Sequence, residues 1–250
     1  MTKQGGRHQM QIIQKMAEKQ KDNWGKSGVT IGFLGDSVTQ GCFELYEKDN
    51  GALETYFDQS STYHGYVAKI LSTLYPSVPV NILNAGISGG NATQGAERIE
   101  KDLICHKPDM VVVCFGLNDA MNGLSGLGSY TTALKEIFAA LKEAEIETIF
   151  LTPNMMNTDI SCHLEKELFR NAARNTEKIQ NEGVMDAYME AAMEVCRQMG
   201  VTVCDCYGKW KKMAEGGVVI SNLLANHINH PLRKMNWLFA VSLVETMFEC

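Results

Sequence analysis

The stretch VTIGFLGDSVTQGC, residues 29–42, opens as an apolar run and breaks at Gly35-Asp36-Ser37. A short continuous apolar run ended by a glycine reads as a strand covered on both faces, the kind found in parallel sheets. Four later runs have the same character: 79–84 (PVNILN), 110–115 (MVVVCF), 147–152 (ETIFLT) and 201–205 (VTVCD). Helical spacing fills the intervals. Residues 63–75 put Tyr66, Ile70 and Leu74 on one stripe, and 130–146 repeat Leu134, Ile137, Phe138 and Leu141. Further helical patterns fall near 164–181, near 184–199 and from 232 to the end, and a polar, weakly amphipathic helix is expected over 7–23. Strands alternating with helices at this rhythm predict an open, doubly wound α/β sheet. Ligands of such sheets bind beyond the carboxyl ends of the strands. The residues there are Gly35-Asp36-Ser37, Ala85-Gly86, Gly116-Leu117-Asn118-Asp119 and Pro153-Asn154, so small and polar groups crowd one edge.

Composition narrows the class. At 250 residues the chain fits one domain, 1–250, with 1–28 as an N-terminal helical extension. The net charge is −6 and basic runs stop at two residues, as at Lys211-Lys212, so counterion release gives little drive toward nucleic acid. The apolar segment 235–248 is broken by Ser242 and Glu245 and is too short to span a bilayer. It reads as a terminal helix docked on the core. The first 28 residues lack an apolar leader, so a cytoplasmic location is expected, with the eight cysteines reduced and structural. Cys204-Asp205-Cys206 has neither the spacing nor the companion pair of a zinc site, and His8, His106 and His163 lack metal-ligand spacing. No metal or cofactor is expected.

The break in the opening stretch reads as a phosphate-cradling turn or as a nucleophile presented at a strand end. The phosphate reading fails, because GDSVTQGC has no lysine and places Asp36 where phosphate charge would gather. The nucleophile reading draws support from three other segments. NAGISGG (84–90) offers the backbone N–H of Gly86, FGLNDA (115–120) the side-chain amide of Asn118, and NHINHP (226–231) a base in His230. A hydroxyl, a base and convergent N–H donors make the minimum set for acyl transfer.

These four segments, in this order and separated by about 50, 30 and 110 residues, resemble the blocks of the SGNH or GDSL-type esterases and acylhydrolases. The resemblance covers nearly the whole chain. It implies a flavodoxin-like, three-layer α/β/α sandwich on a five-stranded, mostly parallel sheet. It also implies metal-free ester hydrolysis, with Ser37 as nucleophile, His230 as base, and an oxyanion hole from Ser37 N–H, Gly86 N–H and the Asn118 amide. The expected substrate is a small-molecule or carbohydrate ester, with acetyl esters of sugars favoured by family analogy.

The chain departs from the family at one position. The family places an aspartate three residues before the histidine; here that position is His227, and 221–231 contain no acid. His227 or the amides of Asn226 and Asn229 are candidates to receive the imidazole N–H. The other options are a backbone carbonyl, giving a Ser–His dyad, or an acid from elsewhere. In serine proteases, replacing the orienting aspartate by asparagine costs about 10⁴ in rate. A non-catalytic ester- or sugar-binding protein is therefore the second reading. Gly86-Ile87-Ser88-Gly89-Gly90 also fits G-x-S-x-G, making Ser88 a rival nucleophile of the α/β-hydrolase kind, although the HGGG-type motif is missing. The only acid at a strand end before His230 that would suit that rival is Asp205. The segment 43–62 is longer than an ordinary connection and reads either as a lid or specificity loop or as a surface excursion. His64 reads as a surface residue, or as a border of the site if that segment folds over it.

Overall fold

A computed structural model describes residues 9–249. Five strands, β1 Val29–Gly35, β4 Val80–Gly86, β5 Met110–Cys114, β6 Glu147–Leu151 and β7 Thr202–Cys204, form one sheet in the order β4-β1-β5-β6-β7. Every pair in it is parallel. Met110 to Phe115 are all buried, which is why this run shows no alternation of apolar and polar residues. Ten helices accompany the sheet among the described residues: α1 Gln11–Lys21, α2 Ser37–Gln40, α3 Tyr63–Leu74, α4 Ala92–Asp102, α5 Leu117–Ala120, α6 Leu127–Glu143, α7 Glu167–Asn181, α8 Val184–Met199, α9 Cys206–Glu215 and α10 Asn236–Glu249. One layer joins α3, α10, α1 and α9; the other joins α4, α6 and α8. The expected helix over 7–23 is α1, with residues 7 and 8 of that expectation outside the described residues.

Besides the one-turn helices α2 and α5, two longer ones, α4 and α9, fall outside the expected helical segments. Each starts at a side-chain cap: Asn91 forms a capping box with Gln94, and Asp205 accepts from the Gly208 N–H. The larger difference lies in 43–62. Most of that segment is an antiparallel hairpin, β2 Cys42–Glu47 and β3 Leu53–Phe57, packed beside the sheet's carboxyl edge. Leu45 of this hairpin packs against the apolar cluster of Leu164, Ala173 and Ile228, and Glu47 pairs with Lys166.

The strand order places β1 between β4 and β5, so the chain leaves the centre of the sheet in opposite directions there. That is the crevice position for a ligand in an open α/β sheet. Ser37 follows β1, and Asn118 follows β5.

Candidate active site

The Ser37 turn is built by close approach. Asp36 caps the one-turn helix α2 through the Val38 N–H at 2.9 Å, and Gly41 closes it at φ 95°. Gly35 is extended and needs no left-handed conformation; what it provides is space. A Cβ there would lie 2.1 Å from Thr39 Oγ1 and 2.8 Å from the Cys114 carbonyl oxygen. Its ladder partner Gly86 faces the same helix, with a Cβ position 2.2 Å from Gln40 N. Two glycines at the ends of adjacent strands thus let α2 settle onto the sheet edge. Buried Arg98 ties the two strand ends together by donating to Gly35 O at 3.0 Å and Ala85 O at 2.6 Å, and its charge is met by Asp102. Behind α2, His64 is buried, with Nε2 on Thr39 O and Nδ1 on Thr62 Oγ1. Burial pushes its pKa down to about 4, so it is a neutral strut and not a surface group.

The segment carrying His230 is held by Asn226. Its Oδ1 accepts from the backbone N–H of Ile228, Asn229 and His230, and Asn154 donates to Asn229 O from behind. His230 Nε2 then lies 2.9 Å from Ser37 Oγ, and its Nδ1 lies 2.8 Å from the carbonyl oxygen of Phe43 in β2. A carbonyl oxygen only accepts, so Nδ1 carries the proton and Nε2 is free to receive the Ser37 hydroxyl proton. Burial lowers the His230 pKa; the Phe43 hydrogen bond and the Glu44 charge oppose that shift.

Three expectations need correction. His227 does not touch the His230 ring; its backbone is left-handed at φ 55°, and its Nδ1 faces Ser221 O. Asn226 orients His230 only through the backbone, because its oxygen is committed to three N–H groups. Gly86 N–H already donates to Asn84 Oδ1 at 3.0 Å. The glycine that presents an N–H with no acceptor among the described hydrogen bonds is Gly89, exposed at φ 74° on the following turn. That turn is fixed on both sides, by Gln40 Oε1 receiving Ser88 N–H and by Asn118 Nδ2 donating to Gly90 O. Asn118 keeps a second amide N–H, and Ser37 N–H has no acceptor among the described hydrogen bonds. The signal for Gly89 was the Gly-Gly pair after Ser88. The rival Ser88 is exposed and has no histidine partner among the described hydrogen bonds. Asp205, the rival's only acid, caps α9 and bonds Thr152.

Asp36 and Asp119, the acids beside Ser37 and Asn118, are buried. Burial pushes their pKa values up to about 7 and about 6. Asp119 holds the start of α4 through Ala92 N–H. The hairpin is fastened to the histidine segment by Arg233, which donates to Glu44 and Asp58 and lies 4.3 Å over the Phe43 ring. It is a fixed wall that supplies the acceptor for His230. A hollow of about 490 Å³ borders the Gly89 turn, lined by Ile87, Gln94 and Glu97 among others. A hollow of about 900 Å³ opens at the far, amino-terminal edge of β6 and β7, away from Ser37. Among the described residues, no group of three or more His, Cys, Asp or Glu side chains is placed to hold a metal ion.

Comparison with known proteins agrees with this architecture. An acetylxylan esterase from Geobacillus stearothermophilus is 31% identical over 124 residues, 49% of this chain and 55% of that protein. The chain thus matches about half the length of that curated relative. The crystal structure of Axe2, an acetylxylan esterase from the same organism, superimposes with TM-score 0.64 at 22% identity, covering 88% of this chain and 94% of Axe2. LAE5, an α/β hydrolase enzyme from the metagenome of Lake Arreo, gives TM-score 0.65 at 20% identity, covering 88% and 95%. At these identities the likeness of structure carries the fold alone. A model described as GDSL-like lipase/acylhydrolase matches residues 33–237. With that match running from β1 into α10, the chain belongs to the GDSL-like lipase/acylhydrolase family.

Proposed function

We propose that the protein is a serine esterase working through a Ser37–His230 dyad. The observation that carries this reading is the 2.9 Å contact between His230 Nε2 and Ser37 Oγ, with Nδ1 held by the Phe43 carbonyl. Ser37 Oγ attacks the ester carbonyl while its proton passes to Nε2. The carbonyl electron pair moves onto oxygen, facing the N–H groups of Ser37, Gly89 and Asn118. Collapse expels the alcohol, which takes the proton from Nε2, and an acyl-enzyme remains. Water then repeats the sequence with His230 again as base. The Phe43 carbonyl keeps the productive tautomer throughout, the service that an aspartate gives in a triad.

Acetyl esters of carbohydrates are the proposed substrates, supported by the relative named acetylxylan esterase. Reaction with a fluorophosphonate tests the nucleophile. Labelling should fall on Ser37 and vanish in Ser37→Ala, whereas Ser88→Ala should label and hydrolyse 4-nitrophenyl acetate within a few-fold of the parent. Protein that neither labels nor hydrolyses that ester or acetylated xylo-oligosaccharides at any pH from 6 to 9 is a binding protein instead. Faster turnover of octanoyl than acetyl esters would remove the acetyl assignment.

A further inference from the structure

We propose that the charge missing from the histidine segment is supplied by the hairpin, with Glu44 the positioning residue that tunes His230 through the Phe43 carbonyl. The inference rests on the dyad reading above. Phe43 and Glu44 are adjacent in β2, so the residue that accepts the imidazole N–H is followed at once by a carboxylate. Arg233, three residues after His230, grips both: it lies 4.3 Å over the Phe43 ring and pairs with the Glu44 carboxylate through two guanidinium nitrogens. Its Nε reaches Asp58 Oδ2 at 3.0 Å.

The charge count decides what this cluster does. Glu44 is held below the usual carboxylate range by its bond to Arg233. Asp58 is held at about 2, chiefly by Ser60, with Arg233 contributing. Both are therefore ionised wherever an esterase of this kind works. Two carboxylates against one guanidinium leave one net negative charge beside the Phe43–His230 contact. That charge favours the imidazolium formed when Nε2 takes the Ser37 proton. On the nucleophile side, the ionisable groups are Asp36, Asp119, His64, Cys42 and Arg98. Burial raises the first two to about 7 and about 6, so both ionise within the working pH range, equally in every hairpin variant; it keeps His64 unprotonated and the Cys42 thiol up at about 11, while Arg98 is paired with Asp102. None of these touches the hairpin cluster's guanidinium among the described contacts.

The acid limb of kcat/KM against pH reports the His230 pKa in the free enzyme. Glu44→Gln neutralises the cluster, so the imidazolium loses support and the limb should move down by roughly half a pH unit, a shift kept small by the cluster's partial exposure. Arg233→Gln leaves two unopposed carboxylates, and the limb should move up by a similar amount. Glu44→Asp keeps the charge and should hold the limb at its parent position. Asp58→Asn should move it the same way as Glu44→Gln and replaces that variant if it folds poorly. The same shifts can be followed on the His230 imidazole resonance by NMR, which does not depend on turnover. A clamp acting only by packing would lower the plateau in both Glu44→Gln and Arg233→Gln and leave the limb where it was. Limbs that stay fixed, or that move in one direction for both, overturn the inference while Ser37 labelling stands. Parent protein that fails to label at Ser37 overturns the dyad reading, and this inference with it.

Discussion

Replacing Gly86 by alanine should displace the Ser37 turn without touching a side chain of the site. The new Cβ would lie 2.2 Å from Gln40 N, 2.6 Å from Thr39 C and 2.7 Å from Gln40 Cα, where ordinary contact begins at about 3.4 Å. The shortfall is about 1.2 Å, and all three atoms are backbone, so no rotamer change relieves it. Either the end of β4 or α2 must move by roughly that distance. Overpacking of this kind costs about 1–3 kcal/mol. A displacement near 1 Å between reacting groups costs about 10² in rate. The variant should therefore show a lowered urea midpoint and a kcat/KM for 4-nitrophenyl acetate down about a hundredfold, with fluorophosphonate labelling of Ser37 slowed in parallel. Gly128→Ala is the matched control: it makes the same chemical change in α6 where no atom lies within 4 Å, and should be neutral or stabilising by about 0.4–1 kcal/mol. Gly86→Ala protein with parental stability and a rate within threefold would refute the wedge. The place of Gly86 would then have to be argued from its N–H after all.

Two further outcomes follow from buried groups around the turn. Asp36 has a folded-state pKa of about 7 against an ordinary 3.8, so it favours the fold below pH 4, and that support is lost as pH rises toward 7, on the order of 4 kcal/mol at most. Asp36→Asn keeps an acceptor for Val38 N–H and should be the more stable protein at pH 8 but not at pH 4. Urea titrations at both pH values check this, and parallel pH dependence of the two proteins would refute it. Arg98→Met removes the guanidinium donors from Ala85 O and from Gly35 O, which keeps only the Ile87 N–H, and should cost about 1–3 kcal/mol, read as a fall in urea midpoint. Arg98→Lys should recover only part of that loss, because one ammonium cannot span both carbonyls and Asp102. Recovery of the full midpoint by lysine would mean that charge, and not the forked geometry, is what the strand ends need.

The parts of the fold legible in the sequence were those in which a side-chain pattern dictates the structure. Five apolar runs gave five parallel strands; β5, inside the sheet, is buried throughout because both its faces are covered, whereas the edge strand β4 carries exposed Asn81 and Asn84. Ser37 and Asn118 stood out because each is a polar group at the edge where a doubly wound sheet binds ligands, and His230 because the NHINHP segment supplies the base that a hydroxyl and N–H donors need. The hairpin also carries a signal in the sequence. Asn50-Gly51 marks a tight turn: Gly51 takes φ 78°, and Lys48 N–H bonds Ala52 O across it. What hid the hairpin was the poor alternation of the first strand, where Phe43 is buried and Glu44, Leu45 and Tyr46 are all half-buried. Gly86 is ambiguous in the sequence for a related reason. A glycine at a strand end fits both an exposed N–H and a close backbone approach, and only the position of α2 against it separates the two.

The acceptor for His230 belongs to another category, since every residue has a carbonyl and none advertises it. Which carbonyl is available depends on where a ladder is interrupted. The pairing of β2 with β3 shifts register between Cys42 and Leu45, the position of Phe43 and Glu44. A bulge of this kind leaves the extra residue outside the ladder and bends the strand. Phe43 O, released from β3, turns to His230 Nδ1, while Glu44 O takes the Thr55 hydroxyl. Restoring a regular ladder would return that carbonyl to β3 and strand the imidazole N–H. The irregularity that obscured the strand in the sequence is thus the feature that frees an oxygen for His230 where the aspartate is missing.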